Sequence, residues 1–106
     1  MVWGVTMADY YLTCVCRNQR HGNYGFMLRD PSGKVEGHSR RFVIRAIQER
    51  KQVVVVDHEP YPEVHVVKGK WLRTDPNETE SDNLDESPDC EDKECIALRL
   101  VAEQMS

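Results

Sequence analysis

The chain has 106 residues, of which 40% are hydrophobic and 30% charged, with a formal net charge of −4 and a pI near 5.5. That length holds one domain with a modest core, and that composition excludes an intrinsically disordered protein. No run approaches the roughly 20 apolar residues of a membrane-spanning helix, and the acidic pI is well below the ~9 typical of dedicated nucleic-acid-binding domains.

Residues 1–7 have neither the basic start nor the apolar stretch of a signal peptide, and Met7-Ala8-Asp9 reads as a more natural start. They are expected to be disordered or a start-site remnant, followed by a single domain over 8–90 and a helical extension over 91–106. Tyr10 to Arg17 is rich in β-formers, and period-two alternation places Tyr10, Leu12, Cys14 and Cys16 on one face. Tyr24 to Asp30 is a second strand, closed by the turn Pro31-Ser32-Gly33-Lys34.

A helix follows. Ser39 is a good N-cap, Val43, Ile44 and Ile47 form an apolar stripe, and Arg50 and Lys51 suit the negative end of the dipole. Val53 to Val56 is a β-branched run. Glu63 to Val67 and Trp71 to Thr74 flank a turn centred on Gly69. Strand, strand, helix, then three strands predicts an α+β fold: a small antiparallel sheet with one helix on one face. Lys93 to Met105 is expected to add a short C-terminal helix capped by Asp92, with Leu98, Val101 and Met105 as its stripe.

The charge is uneven. Residues 1–75 hold twelve Lys and Arg against eight Asp and Glu, whereas residues 76–106 hold two against ten. The break falls in Thr74 to Cys90, which carries seven acidic residues and no basic one. Here Gly69, Trp71-Leu72-x-Thr74, Asp82-Asn83-Leu84 and Pro88-x-Cys90 together resemble a small prokaryotic family known only as a domain of unknown function. The helix beginning at Ser39 is similar to that family's helix. Glu49-Arg50-Lys51 replaces a usual glycine, and Ser87 stands where an apolar residue is usual. The resemblance implies no reaction. It implies that Asp82, Asn83, Leu84, Pro88 and Cys90 close the folded domain: Asp82 and Asn83 cap a turn, and Leu84 plugs the core.

Cys14, Cys16, Cys90 and Cys95 are the ligands if a metal is bound. Cys-x-Cys on a regular strand splays its thiols unless a bulge intervenes, however, so the cysteines are expected to be small buried hydrophobes, with no metal and no cofactor. Disulfides are not expected, because nothing places the chain in an oxidising compartment, and a cytoplasmic location follows. Asp75, Asn77, Thr79, Ser81, Asn83 and Glu86 fall at EF-hand spacing, but Glu80 stands where the loop needs glycine. His58 and His65 lie on neighbouring strands, and Cys14 or Cys16 pairs with His65 only on paper. No phosphate loop or nucleophile motif is present, so an enzyme is not expected.

A basic patch remains. Arg17, Arg20 and His21 at the first turn and Arg40, Arg41 and Arg45 on the helix offer charge, and Tyr10, Tyr24 and Trp71 offer rings for stacking. The sequence therefore points first to a non-enzymatic binding module for a protein partner or a second copy of itself. A nucleic-acid module held off by its own acidic segment comes second, and an unrecognised small-molecule enzyme third.

Overall fold

The computed structural model describes residues 8–74, 82–84 and 87–105. Two expectations fall outside the described residues: that 1–7 are disordered or a start-site remnant, and most of the EF-hand spacing, at 75–81 and 86. In chain order the elements are β1 (Tyr10–Asn18), β2 (Gly22–Arg29), β3 (Val35–Ser39), α1 (Arg40–Gln48), β4 (Val54–Val56), β5 (His65–Val67), β6 (Trp71–Arg73) and α2 (Asp92–Met105). The class is α+β with a C-terminal helix, as expected. No helix among these residues is long and apolar enough to cross a membrane.

The sheet differs in detail from the expected one. Four strands run in the order β3-β2-β1-β4, while β5 and β6 form a separate two-stranded ribbon. Strand β3 was missed because Val35-Glu36-Gly37-His38-Ser39 is mostly exposed and carries no apolar alternation. It pairs antiparallel with β2, and Ser39 at its end caps α1, its side chain accepting from Phe42 N at 3.3 Å. Helix α1 then carries the chain across the sheet to its other edge. There β4 joins β1 in parallel, the pairing that a helical crossover permits and a hairpin does not.

Thr13 is an extra residue in β1, opposite no partner between the pairs Leu12–Leu28 and Cys14–Met27. Such a bulge shifts the alternation by one. Tyr10, Leu12 and Val15 therefore pack in the main core, and Cys14 and Cys16 turn to the other face, away from the side assigned by simple period two. The main core joins Leu12, Val15, Phe26 and Leu28 of the sheet to Val43 of α1, Val64 and Leu72 of the ribbon and Leu84 of the closure. The second face is covered by α2 through Cys95, Leu98 and Ala102. Its stripe is thus one step from the predicted one, and Val101 is 41% exposed.

The four cysteines correct the expectation of free thiols. Cys14 is bonded to Cys90 and Cys16 to Cys95, with Cα–Cα distances of 5.0 and 5.8 Å. Both bonds tie β1 to the chain's end, one to the closure and one to α2. Pairing of this kind depends on which segments meet in space, which no local pattern in the sequence decides.

Candidate functional site

The segment read as a closure is folded into the domain where it is described. Leu84 is 2% exposed and sits in the main core. The Asp82 carboxylate accepts from Leu72 N at 2.8 Å and Asn23 Nδ2 at 3.2 Å, and Asn83 Oδ1 accepts from Thr74 N at 2.6 Å. Pro88 and Cys90 exchange backbone hydrogen bonds with Val15 at 2.9 and 3.0 Å, so this stretch continues the sheet edge beyond β4. Asp82 and Asn83 thus bond the ribbon strand β6, more than any turn of their own.

The basic patch is taken apart by these contacts. Arg17 pairs with Asp89 and donates to the carbonyls of Leu84 at 2.7 Å and Ser87 at 3.2 Å. Arg40 forms a two-point ion pair with Asp82 and donates to Asn23 O at 2.9 Å and Lys70 O at 3.3 Å. Both guanidiniums are structural, holding the acidic closure to the body. Arg20 is exposed in the first turn, and Arg45 lies 3.7 Å from Glu49 along α1. Trp71 is half-buried, with the Lys70 ammonium 4.9 Å from its ring centre. Tyr24 is buried and its hydroxyl accepts from Arg99 at 3.3 Å, while Tyr10 packs edge-on against Phe42, so neither presents an open stacking face.

What survives is a cleft. It lies between the start of α1, strand β2 and the outer half of α2, with a volume of about 240 Å³. Leu98, Val101 and Ala102 supply an apolar wall. Asn23, Ser39, Arg40 and Arg41 supply a polar rim, and Tyr24 and His21 complete it. Arg41 is exposed and has no carboxylate partner among the described residues. His21 Nε2 is buried and lacks a hydrogen-bond partner among them, whereas its backbone N–H is held by Asn18 Oδ1 at 2.6 Å.

Of the predicted residues, the structure brings Arg40 and Arg41 to this cleft, with Arg45 in the neighbouring groove along α1. Arg17 and Trp71 do not contribute to it. Asn23, Ser39 and the α2 residues were not singled out as binding residues. They come from three separate elements, and no local pattern links them. The paired cysteines leave no thiol for His65. No family model, no curated protein and no solved structure matches the chain.

Proposed function

We propose that this chain is a small binding module for a protein partner, which it takes in the cleft between α1 and α2. The size of the cleft carries the reading. At about 240 Å³ it is smaller than the roughly 300–1,000 Å³ pockets that enclose cofactors and drug-sized ligands, but it suits one or two side chains of a partner. The partner supplies an apolar side chain for Leu98, Val101 and Ala102, with a carboxylate beside it for Arg41. This continues the sequence reading, including the resemblance to a domain without established activity, and names the surface that does the binding.

A second reading is self-association, favoured by Ile96 and Leu100, each 55% exposed on the outer side of α2. The nucleic-acid reading has less support, because Arg17 and Arg40 spend their charge on the acidic closure. Location goes with redox state. As two cystines the chain suits an oxidising compartment, whereas the cytoplasm expected from the sequence would present four thiols.

The test is selection of a displayed random-peptide library on the full oxidised chain, with Arg41→Glu and Val101→Asp as controls. Enriched peptides should pair an aliphatic or aromatic residue with a nearby Asp or Glu, and both variants should lose them. No enrichment, or peptides indifferent to both substitutions, overturns the reading. Mass in solution over a range of concentrations decides self-association, with Ile96→Asp as the variant that should abolish any dimer.

A further inference from the structure

Three sulfurs, one from β1 and two from residues 90–95, are gathered into one small space. The Sγ atoms of Cys16, Cys90 and Cys95 all lie within 4.8 Å of one another, although Cys90 is not the bonded partner of either of the others. The fourth, Cys14, is bonded to Cys90 and lies with it near a carboxylate oxygen of Glu94, outside the group formed by the other three. Two disulfides need only two pairs of close sulfurs. That one cystine stands directly beside the other is the additional observation.

We propose that in its thiol form this cluster is a zinc site, with Cys14, Cys16, Cys90 and Cys95 as the four ligands. A tetrahedral zinc with Zn–S bonds of about 2.3 Å holds its sulfurs about 3.8 Å apart. The three grouped sulfurs lie within 4.8 Å of one another; each bonded pair has to open from about 2.05 Å, and Cys14 has to close on Cys16 and Cys95. Cys90 and Cys95 are separated by four residues, within the usual ligand spacing. Cys14 and Cys16 share one face of β1, between the bulge at Thr13 and the irregularity after Cys16. Cys16 and Cys95 are nearly inaccessible, which shields the thiolates, and half-buried Cys90 leaves a route for the metal.

The chemistry balances with a dithiol as reductant. Each cystine accepts two electrons and two protons from one dithiol, which leaves as its own disulfide. The resulting four thiols release four protons on binding Zn²⁺ and form a tetrathiolate of net charge −2. The consequence is structural. The residues that join β1 to the closure and to α2 as cystines in an oxidising compartment join them through a metal in a reducing one.

The experiment reduces the full chain anaerobically with a dithiol, removes the reagent and titrates Co²⁺, then Zn²⁺. The expected result is one Co²⁺ per chain with the absorption of tetrahedral thiolate coordination, displaced by one Zn²⁺, and an increase in melting temperature with zinc. The oxidised chain should bind neither ion, and Cys14→Ser and Cys16→Ser should each lose the four-thiolate spectrum. Proton release and native mass spectrometry on the unmutated chain keep the test independent of how the variants fold. A reduced chain that takes up no metal, or whose spectrum is unchanged by both substitutions, overturns the proposal. So does a reduced chain that stays unfolded equally with and without zinc.

Discussion

Arg40 and Asp82 meet face to face, two guanidinium nitrogens on two carboxylate oxygens, at the junction of helix α1 and the acidic closure. The Asp82 side chain is only 10% exposed and also accepts from the backbone of Leu72, so one carboxylate joins α1, β2 and the ribbon. Removing it leaves Arg40 and the Leu72 amide without their acceptor. Asp82→Ala is expected to cost about 2–4 kcal/mol in urea unfolding, because breaking one partner of a largely buried pair strands the other. Arg40→Lys should cost less but remain measurable, since an ammonium cannot make the two-point contact.

Leu84 is the one fully buried apolar side chain among the described residues of the acidic stretch. It packs with Leu72 and Val15 in the main core. Leu84→Ala should destabilise by about 2–4 kcal/mol, the range for a buried leucine left as a cavity. A melting temperature equal to that of the unmutated chain would show that the closure contributes no packing.

Leu84 also shows what was legible in sequence. An isolated leucine among carboxylates has little reason to be there unless it is buried, and the α+β class followed from propensity and turn signals in the same way. The helix from Ser39 was legible for the same reason, because a cap and an apolar stripe are local. Three other features were not local. The bulge at Thr13 reverses the faces of the cysteines, yet leaves no mark in a run of good β-formers. Strand β3 has no apolar alternation, because its outer position in the sheet asks for none. The cleft is assembled from the first turn, β2, α1 and α2, so it exists only after folding.

The two cystines close loops of nearly equal length, with sequence separations of 76 and 79. The chain-entropy contribution is therefore the same for both, and removing either pair should cost about 2–5 kcal/mol. Any difference between them reports packing. Cys16 and Cys95 are buried with Tyr24 and Leu98, whereas Cys90 is half-buried. Cys16→Ala with Cys95→Ala should accordingly be more destabilising than Cys14→Ala with Cys90→Ala when both are measured in oxidised protein by denaturant unfolding.

Helix α2 lies close on the sheet because two strand residues lack side chains. A Cβ at Gly25 would meet Leu98 Cδ1 at 2.7 Å and Leu98 Cβ at 3.1 Å, and one at Gly37 would meet Leu98 Cδ1 at 2.9 Å. Gly25→Ala should destabilise by about 1–3 kcal/mol through overpacking. Gly37→Ala should cost less, since mostly the end of the leucine has to move. Leu98→Ala in the Gly37→Ala background should be less damaging than the sum of the two single changes. A double-mutant cycle showing simple additivity would mean that α2 does not rest on these glycines.

His38 gives the fold a pH dependence. Its ring stacks on Phe42 with centroids 3.8 Å apart, and burial lowers its pKa below the ordinary value near 6.5. Glu36, 3.6 Å from Nε2, opposes the shift without cancelling it, and Arg50 lies over the same Phe42 ring. A depressed histidine pKa means that the unfolded chain takes up its proton first as pH falls. Stability from the neutral ring is fully present above about pH 6.5 and is lost on acidification from there to the folded-state pKa. His38→Gln removes that titration. Melting temperatures of the unmutated chain should therefore fall between about pH 7 and pH 5, before most carboxylates protonate, while those of His38→Gln fall less. Parallel curves for the two proteins would assign the slope to other groups and refute the role given to His38.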